Sequence, residues 1–438
     1  MKRFQKAVAL ILSLCSLCLL FGCNKQEPAE TTEPTLPPVD YSMYAGIVHD
    51  PKTWYDQLMA LPIANDSMTE AELRQLCVDA MRLNLTFTWT PTMDINYSFT
   101  LLERTSEVYL PAHIAYSGLF YCNNNARGNV WKALQYYDHE TGAMDMEAMG
   151  GRMLSVLSSA CARGCEWGWS RVSNSTGLET MSSYNQYNSN IALVGEYTYQ
   201  LGKYSFSSGS GTKDIIRDNG EDVILRSYAV MKMADGVYSS SSYHVMMVAD
   251  APVIVYDESG NIDAEASYVL VLEQDAVGSK TEKKNYEQEN GVVMRPLGGV
   301  DNKYTFRDLL NKGYIPFTIK ELIGQEPVED GEAYIGNHNA PIENGADITL
   351  SDVLSKTLYT NYAICTVEAQ VQSPDGQVLL QHKYQHDTSP FTYQVTLAAS
   401  DFPQKAAAYA DGSNTLHIYV RLSTGELKEA FTTVLKTS

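Results

Sequence analysis

SSYHVMMVAD, Ser241 to Asp250, is the stretch on which the fold turns. Small and aromatic polar residues lead into one histidine, His244, and the apolar run VMMV follows. A short apolar run bounded by polar turn residues reads as a buried strand. A titratable ring at the mouth of such a strand needs a polar partner, and as a catalytic base it also needs a nucleophile. The rest of the chain is read for both.

Around this stretch the pattern is one of short strands. EDVILRSYAVMKM (221–233), APVIVYD (251–257) and ASYVLVLE (266–273) read as strands, with Asp257-Glu258-Ser259-Gly260-Asn261 as a turn. Helices come before them. TEAELRQLCVDAMRL places Leu73, Leu76, Cys77, Ala80 and Met81 on one face, and Ser67 with Glu70 reads as its capping box. Cys77 is therefore a core residue. LNLTFTWTPTMDINYSFTL, interrupted by Pro91, reads as extended segments. Gly151–Val172 is the second helical segment, with Ser158 or Ser159 capping the turn that carries Cys161. YTFRDLLNKGYIPFTIKEL adds a short helix and an extended piece. Helices followed by a run of strands predict an α+β domain over 41–325.

From about Asp347 the character changes. CTVEAQVQ, QVLLQHKY, FTYQVTLA, TLHIYVRLS and LKEAFTTVL are evenly spaced strands, with turns at Asp375-Gly376, Asp411-Gly412 and Thr424-Gly425. This spacing predicts a small all-β sandwich of immunoglobulin-like type over 346–438. The Gly-, Glu-, Asn- and Pro-bearing stretch 326–345 reads as the linker.

The first residues, MKRFQKAVALILSLCSLCLLFGC, pair a basic start with an apolar core too short for a comfortable membrane span. This is the pattern of a secretory leader over 1–22. It closes on Leu20-Phe21-Gly22-Cys23, which resembles a bacterial lipobox. The resemblance implies lipid attachment at Cys23 and a protein anchored on the extracytoplasmic face of a bacterial cell membrane. The Pro-, Glu- and Thr-rich stretch 23–40 has almost nothing apolar to bury and reads as a tether.

Net charge is −20, from 32 Lys and Arg against 52 Asp and Glu, which argues against nucleic acid as a partner. Beyond Cys23 the cysteines are Cys77, Cys122, Cys161, Cys165 and Cys365, an odd set without a paired framework. Cys161-x-x-x-Cys165 has no second Cys/His cluster to complete a zinc site, so no metal and no cofactor is expected.

A cysteine becomes a nucleophile when its thiol ionises, and a helix N-terminus beside a histidine promotes that. Cys161 follows small residues and opens the segment CARGCEWGW, His244 opens a strand, and Glu273 ends the neighbouring one. The plainer alternatives are a core thiol at Cys161, a strand-edge histidine at His244 and a solvated strand end at Glu273. Cys165, four residues on, is a second candidate nucleophile. The remaining histidines sit in segments with no cysteine or carboxylate pattern and are assigned no role.

These residues resemble the CHAP and NlpC-type cysteine peptidases and amidases of the papain-like superfamily. The similarity runs over about Tyr116–Asp275 and rests on Cys161 to Trp169, on His244-Val245-Met246-Met247-Val248 and on Glu273-Gln274-Asp275. Met233-Ala234-Asp235-Gly236-Val237 is similar to the turn before the family's histidine, and Gly118-Leu119-Phe120-Tyr121 to a segment lining its groove. Several positions depart from the family pattern: Ala160 and Ala162 flank the cysteine, both short motifs lack proline, and Asp275 stands for Asn. The resemblance implies Cys161 as nucleophile, His244 as base and Glu273 as the group orienting the imidazole. It implies Tyr121, Trp167 and Gln274 near the substrate, with peptidoglycan or another peptide as that substrate. The departures leave a second expectation open, a surface lipoprotein whose degraded papain-like domain serves binding or adhesion.

Overall fold

Thr69 caps the longest helix among the described residues. Its hydroxyl accepts from the Glu72 N–H while the Glu72 carboxylate accepts from the Thr69 N–H, a capping box two residues beyond the expected Ser67/Glu70 pair. Ser67 instead bonds Asn65. After a short helix α1 (Pro51–Ala60), helix α2 (Glu70–Leu85) buries Leu73, Leu76, Cys77, Ala80 and Met81 on the face that the spacing marked. The computed structural model describes residues 49–436 apart from 102–103, 123–127, 176, 179–183, 185–188, 275–287, 290–291, 294–296, 339, 385–391 and 399–400. The leader, the tether, Cys23 and Asp275 lie outside the described residues.

The helical segment expected over Gly151–Val172 is divided. Ser158–Ser159 is a two-residue strand parallel to Phe120–Tyr121, and only then does helix α3 (Cys161–Trp169) begin. Neither serine caps it: the N-cap residue is Ala160, which has no side chain to offer. Gly168 lets α3 lie against α2, because a Cβ there would meet the Cys77 carbonyl oxygen at 2.8 Å and Met81 Cβ at 3.0 Å. On the other side the Trp169 indole donates to the Ala234 carbonyl at 2.8 Å, fixing α3 to the sheet.

That sheet is six-stranded and wholly antiparallel. Its members are β1 (Ile191–Leu193), β2 (Gly236–Ser239), β3 (His244–Val248), β4 (Tyr268–Glu273), β5 (Gly299–Thr305) and β6 (Ile315–Ile319), in spatial order β5-β4-β3-β2-β6-β1. The expected strand at 221–233 is instead a helix, α5 (Glu221–Ala229), which follows α4 (Gly211–Asn219). Its β-branched residues suggested extension, but Ile224, Leu225 and Tyr228 fall on one helical face and are buried. The stretch 251–257 makes only isolated bridges, Val253 with Tyr268 and Tyr256 with Ile262, and Val253, Val255 and Tyr256 face solvent. Helix α6 (Phe306–Lys312) joins β5 to β6, as the sequence predicts.

Downstream, β7 (Ala333–Asn337), β8 (Ala340–Pro341), β9 (Thr357–Thr360) and β12 (Gln394–Thr396) form one antiparallel sheet. A second contains β10 (Ile364–Gln372), β11 (Val378–Tyr384), β13 (Thr415–Leu422) and β14 (Leu427–Val434). Strands β10 and β13 alternate strictly between buried and half-exposed positions over most of their length, and residues of both sheets share one core. The stretch 326–345, expected as a linker, supplies β7 and β8. Ile335 is fully buried, and Gly336 allows the Ala340 carbonyl to approach to 2.2 Å of where a Cβ would stand. Asp40–Ser438 is one compact unit, and the Ser423 hydroxyl donates to the Ser170 carbonyl just after α3 at 3.1 Å. Among the described residues no helix is long and apolar enough to cross a membrane. The chain is thus α+β, with helices packed on antiparallel sheet and a β-rich C-terminal part.

Candidate active site

Four elements meet around one thiol. Cys161 is the first residue of α3, where helix N–H groups lack intrahelical acceptors and the macrodipole favours negative charge. His244 is the first residue of β3, and Glu273 is the last of β4. Asn302 and Tyr304 lie on β5 beside it.

The polar residues ahead of His244 are ties. In the β2–β3 hairpin, where His244 pairs with Ser239, the Ser239 and Ser241 hydroxyls both donate to the Lys312 carbonyl at the end of α6, each at 2.6 Å. Ser240 Oγ accepts from the Thr212 N–H at the start of α4 at 3.0 Å. Tyr243 has a φ of +48°, unusual for a bulky residue, and its hydroxyl donates to the Ser207 carbonyl at 3.2 Å. The turn that presents His244 is thereby fixed to two helices and a loop.

The imidazole Nε2 lies 2.7 Å from Glu273 Oε2. With that nitrogen committed to the carboxylate, Nδ1 is the one left to face the Cys161 thiol, which is close enough to couple to the ring and whose sulfur lies 3.8 Å from the Tyr243 carbonyl oxygen. Glu273 is only 3% exposed. It also accepts from Asn302 Nδ2 at 2.7 Å and from the Tyr304 hydroxyl at 3.2 and 3.3 Å to its two oxygens. A register shift between Val271 and Glu273 brings Glu273 opposite Gly299. Glycine is required there, since a Cβ would stand 2.8 Å from Glu273 Cγ and 2.3 Å from Asn302 Nδ2.

The electrostatics favour an ion pair. Burial pushes the Cys161 thiol up, but the hydrogen bond and charge of His244, with the Val245 and Ala162 N–H groups, outweigh it and hold the thiol below its ordinary range. Burial lowers His244, yet the Cys161 and Glu273 hydrogen bonds and charges raise it to about 9. Burial likewise raises Glu273, while His244, Asn302 and Tyr304 bring it below the usual carboxylate value. Two other buried thiols behave oppositely: burial pushes Cys77 up strongly and Cys365 up to about 12. A thiolate–imidazolium pair oriented by a carboxylate can attack an electrophilic carbonyl and deliver a proton to a leaving group.

Cys161, His244 and Glu273 are therefore brought together, and the other expected site residues divide. Cys165 lies about 40° around the helix from Cys161 but one turn deeper. It is fully buried, with its sulfur 3.8 Å from the Val245 carbonyl oxygen. Trp167, about 120° away from the Cys161 face, sits in the second core with Phe120, Trp131 and Leu297 rather than at the thiol. Gln274 is fully buried, and its amide donates to the Leu119 carbonyl at 2.7 Å. Its carbonyl oxygen has no partner among the described residues. Tyr121 is half-buried on the short strand paired with Ser158–Ser159, one residue from Ala160. Asp235 of the MADGV turn is structural. It is buried in an ion pair with Arg74 at 2.7 Å and accepts from the Lys232 N–H at 2.7 Å.

Asn302 and Tyr304 escaped the sequence reading. The signal was present in GVDNKYT, where alternate polar residues share one strand face, but only sheet order reveals that this face meets Glu273. Among the described residues no cluster of three or more His, Cys, Asp or Glu could hold a metal ion. Comparison with protein-family models, with curated proteins and with solved structures finds no match for this chain.

Proposed function

We propose that the chain is a cysteine hydrolase that cleaves amide bonds. The observation that carries this reading is the Cys161–His244–Glu273 constellation, with its lowered thiol and raised imidazole at a helix N-terminus. The Cys161 thiolate attacks the amide carbonyl carbon and forms a C–S bond. His244 gives its proton to the leaving nitrogen as the C–N bond breaks. Water then attacks the thioester with His244 as base, releasing a carboxylic acid and regenerating the thiolate. The first-turn N–H groups of α3 offer donors for the oxyanion. Glu273 holds the ring orientation and stabilises the imidazolium, a role supported by its own three partners.

The helix-on-antiparallel-sheet order, with cysteine, histidine and carboxylate on successive elements, supports a papain-like domain of CHAP/NlpC type. The two sheets sharing a C-terminal core support an immunoglobulin-like sandwich. With the leader and lipobox read from the sequence, the proposal is a protein anchored through Cys23 outside a bacterial membrane and acting on peptidoglycan peptides. A non-catalytic binding lipoprotein is the second reading. It is favoured by the 7% exposure of Cys161 and by Gln274, whose amide is spent on Leu119 rather than directed at a carbonyl.

Iodoacetamide labelling of Cys161 from about pH 4 to about pH 9, with site assignment by mass spectrometry, tests the proposal. Wild type is expected to label fast well below the ordinary thiol pKa of about 8.5, and His244→Ala to lose that advantage. An ordinary thiol profile, or labelling only on unfolding, overturns the hydrolase reading in favour of the binding one.

A further inference from the structure

A concave site lies away from the thiol, between the early helical region and the C-terminal sheet. It is a cleft of about 310 Å³ that shares no residue with the Cys161 constellation. Its walls include Tyr55, whose ring stacks on His139 at 4.4 Å, and Trp131, whose ring lies under the Arg421 guanidinium at 4.5 Å. Lys383 on β11 and Glu368 on β10 face each other across the strands at its rim.

Its polar groups are unevenly matched. Trp131 is 3% exposed, and its indole N–H has no acceptor among the described residues. Arg421 donates to the Gly425 carbonyl at 2.8 Å, but among the described residues no carboxylate lies in ion-pair range of it. Glu368 acts on Arg421 only at longer range and is itself bonded by Gln370. Arg171, 1% exposed, packs close to the same glycine, where a Cβ would stand 2.4 Å from its guanidinium, and its Nε has no partner among the described residues. Burial and the neighbouring Arg421 charge press Arg171 down to about 10. Desolvated cations without counter-ions are costly. In a chain of net charge −20, a cleft lined by two cations and one carboxylate, with a third cation buried behind it, is set apart from the bulk of the molecule.

We propose that this cleft binds a small ligand carrying a carboxylate on a ring or apolar body. The carboxylate takes the free donors of Arg421, with Lys383 adding charge at the rim. The body lies against the Tyr55 and Trp131 side of the cleft. A sugar acid and an acylated amino acid both present this chemistry.

Tryptophan fluorescence titration of the full chain tests it with two matched pairs: glucuronate against glucose, and N-acetylphenylalanine against its amide. At least one carboxylate is expected to bind at least about tenfold more tightly than its neutral partner. Arg421→Gln and the exposed-site variant Lys383→Gln are each expected to weaken it severalfold, with affinity falling as salt rises. Preference for glucuronate assigns a sugar acid, and preference for N-acetylphenylalanine a peptide terminus. Equal binding within both pairs, no binding of either carboxylate, or affinity unchanged in the folded Lys383→Gln and Arg421→Gln proteins overturns the proposal. None of these outcomes bears on the reactivity of Cys161.

Discussion

Replacing Glu273 by Gln keeps the shape of the side chain and removes its charge. In the wild type the carboxylate accepts from His244, Asn302 and Tyr304 at once. An amide has one oxygen, so its NH₂ must face at least one of those donors. The size of the effect follows from the imidazole. His244 rises from 6.5 to about 9 against the opposing burial. At about 1.36 kcal/mol for each pKa step, that rise is worth roughly 3 kcal/mol. Cys161 and Glu273 both supply it, so the part carried by Glu273 is on the order of 1 to 2 kcal/mol, about tenfold in the ionisation equilibrium. The His244 side chain is only 18% exposed, so solvent screening removes little of this. The assay is the pH profile of iodoacetamide labelling at Cys161. In Glu273→Gln the imidazolium is weakened and the neutral thiol–imidazole pair gains at the expense of the ion pair, so labelling near neutral pH is expected to slow by up to about tenfold. The profiles merge at alkaline pH, where the thiolate no longer needs the imidazolium. Superimposable profiles in a Glu273→Gln protein with native circular dichroism refute the coupling of Glu273 to the pair.

Three further outcomes are expected. Arg74→Met leaves Asp235 buried without its partner; a loss of about 3–5 kcal/mol in urea unfolding is expected. Gly168→Ala forces a methyl against the Cys77 carbonyl and Met81 Cβ, neither of which can yield without moving α2, and should cost about 1–3 kcal/mol in the same assay. The third concerns pH. The raised pKa of His244 contributes stability that is full below 6.5 and lost as pH rises through about 9. The depressed pKa of Cys161 contributes stability that is full above 9.0 and lost as pH falls. The two slopes oppose each other between about 6.5 and 9, so the pair's net pH dependence there is smaller than that of either group alone. In Cys161→Ser only the His244 slope, held up by Glu273, remains, and the unfolding midpoint relative to wild type should decline as pH rises above 6.5.

Much of the site was legible because its residues sit at the ends of strongly patterned elements. VMMV and YVLVLE could only be buried strands, which put His244 at one strand start and Glu273 at one strand end. The small residues before Cys161 marked a helix start, although the capping serines expected there belong to a short strand. Where local preferences competed, the reading failed. EDVILRSYA is rich in residues that favour strands, yet it is helical because its apolar side chains meet the core only at helical spacing. The resemblance implied Trp167 near the substrate, but helical rotation carries it into a core away from the thiol.

The sequence by itself determined the strands that carry His244 and Glu273, the α2 core face and the regular C-terminal strands, because hydrophobic period is a local property. It also supplied the three candidate residues. Only the tertiary structure decided that they meet, and that Asn302 and Tyr304 hold the carboxylate. The pairing of β4 with β5 and the shifted register at Glu273 join residues about thirty positions apart in the chain. The same holds for the cleft beneath Arg421, whose walls come from both ends of the chain and whose unpaired cations no local pattern reveals. Side-chain chemistry is written in the sequence, but the burial and charge environment that make a thiol reactive or a cation unpaired arise only when distant segments exclude water together.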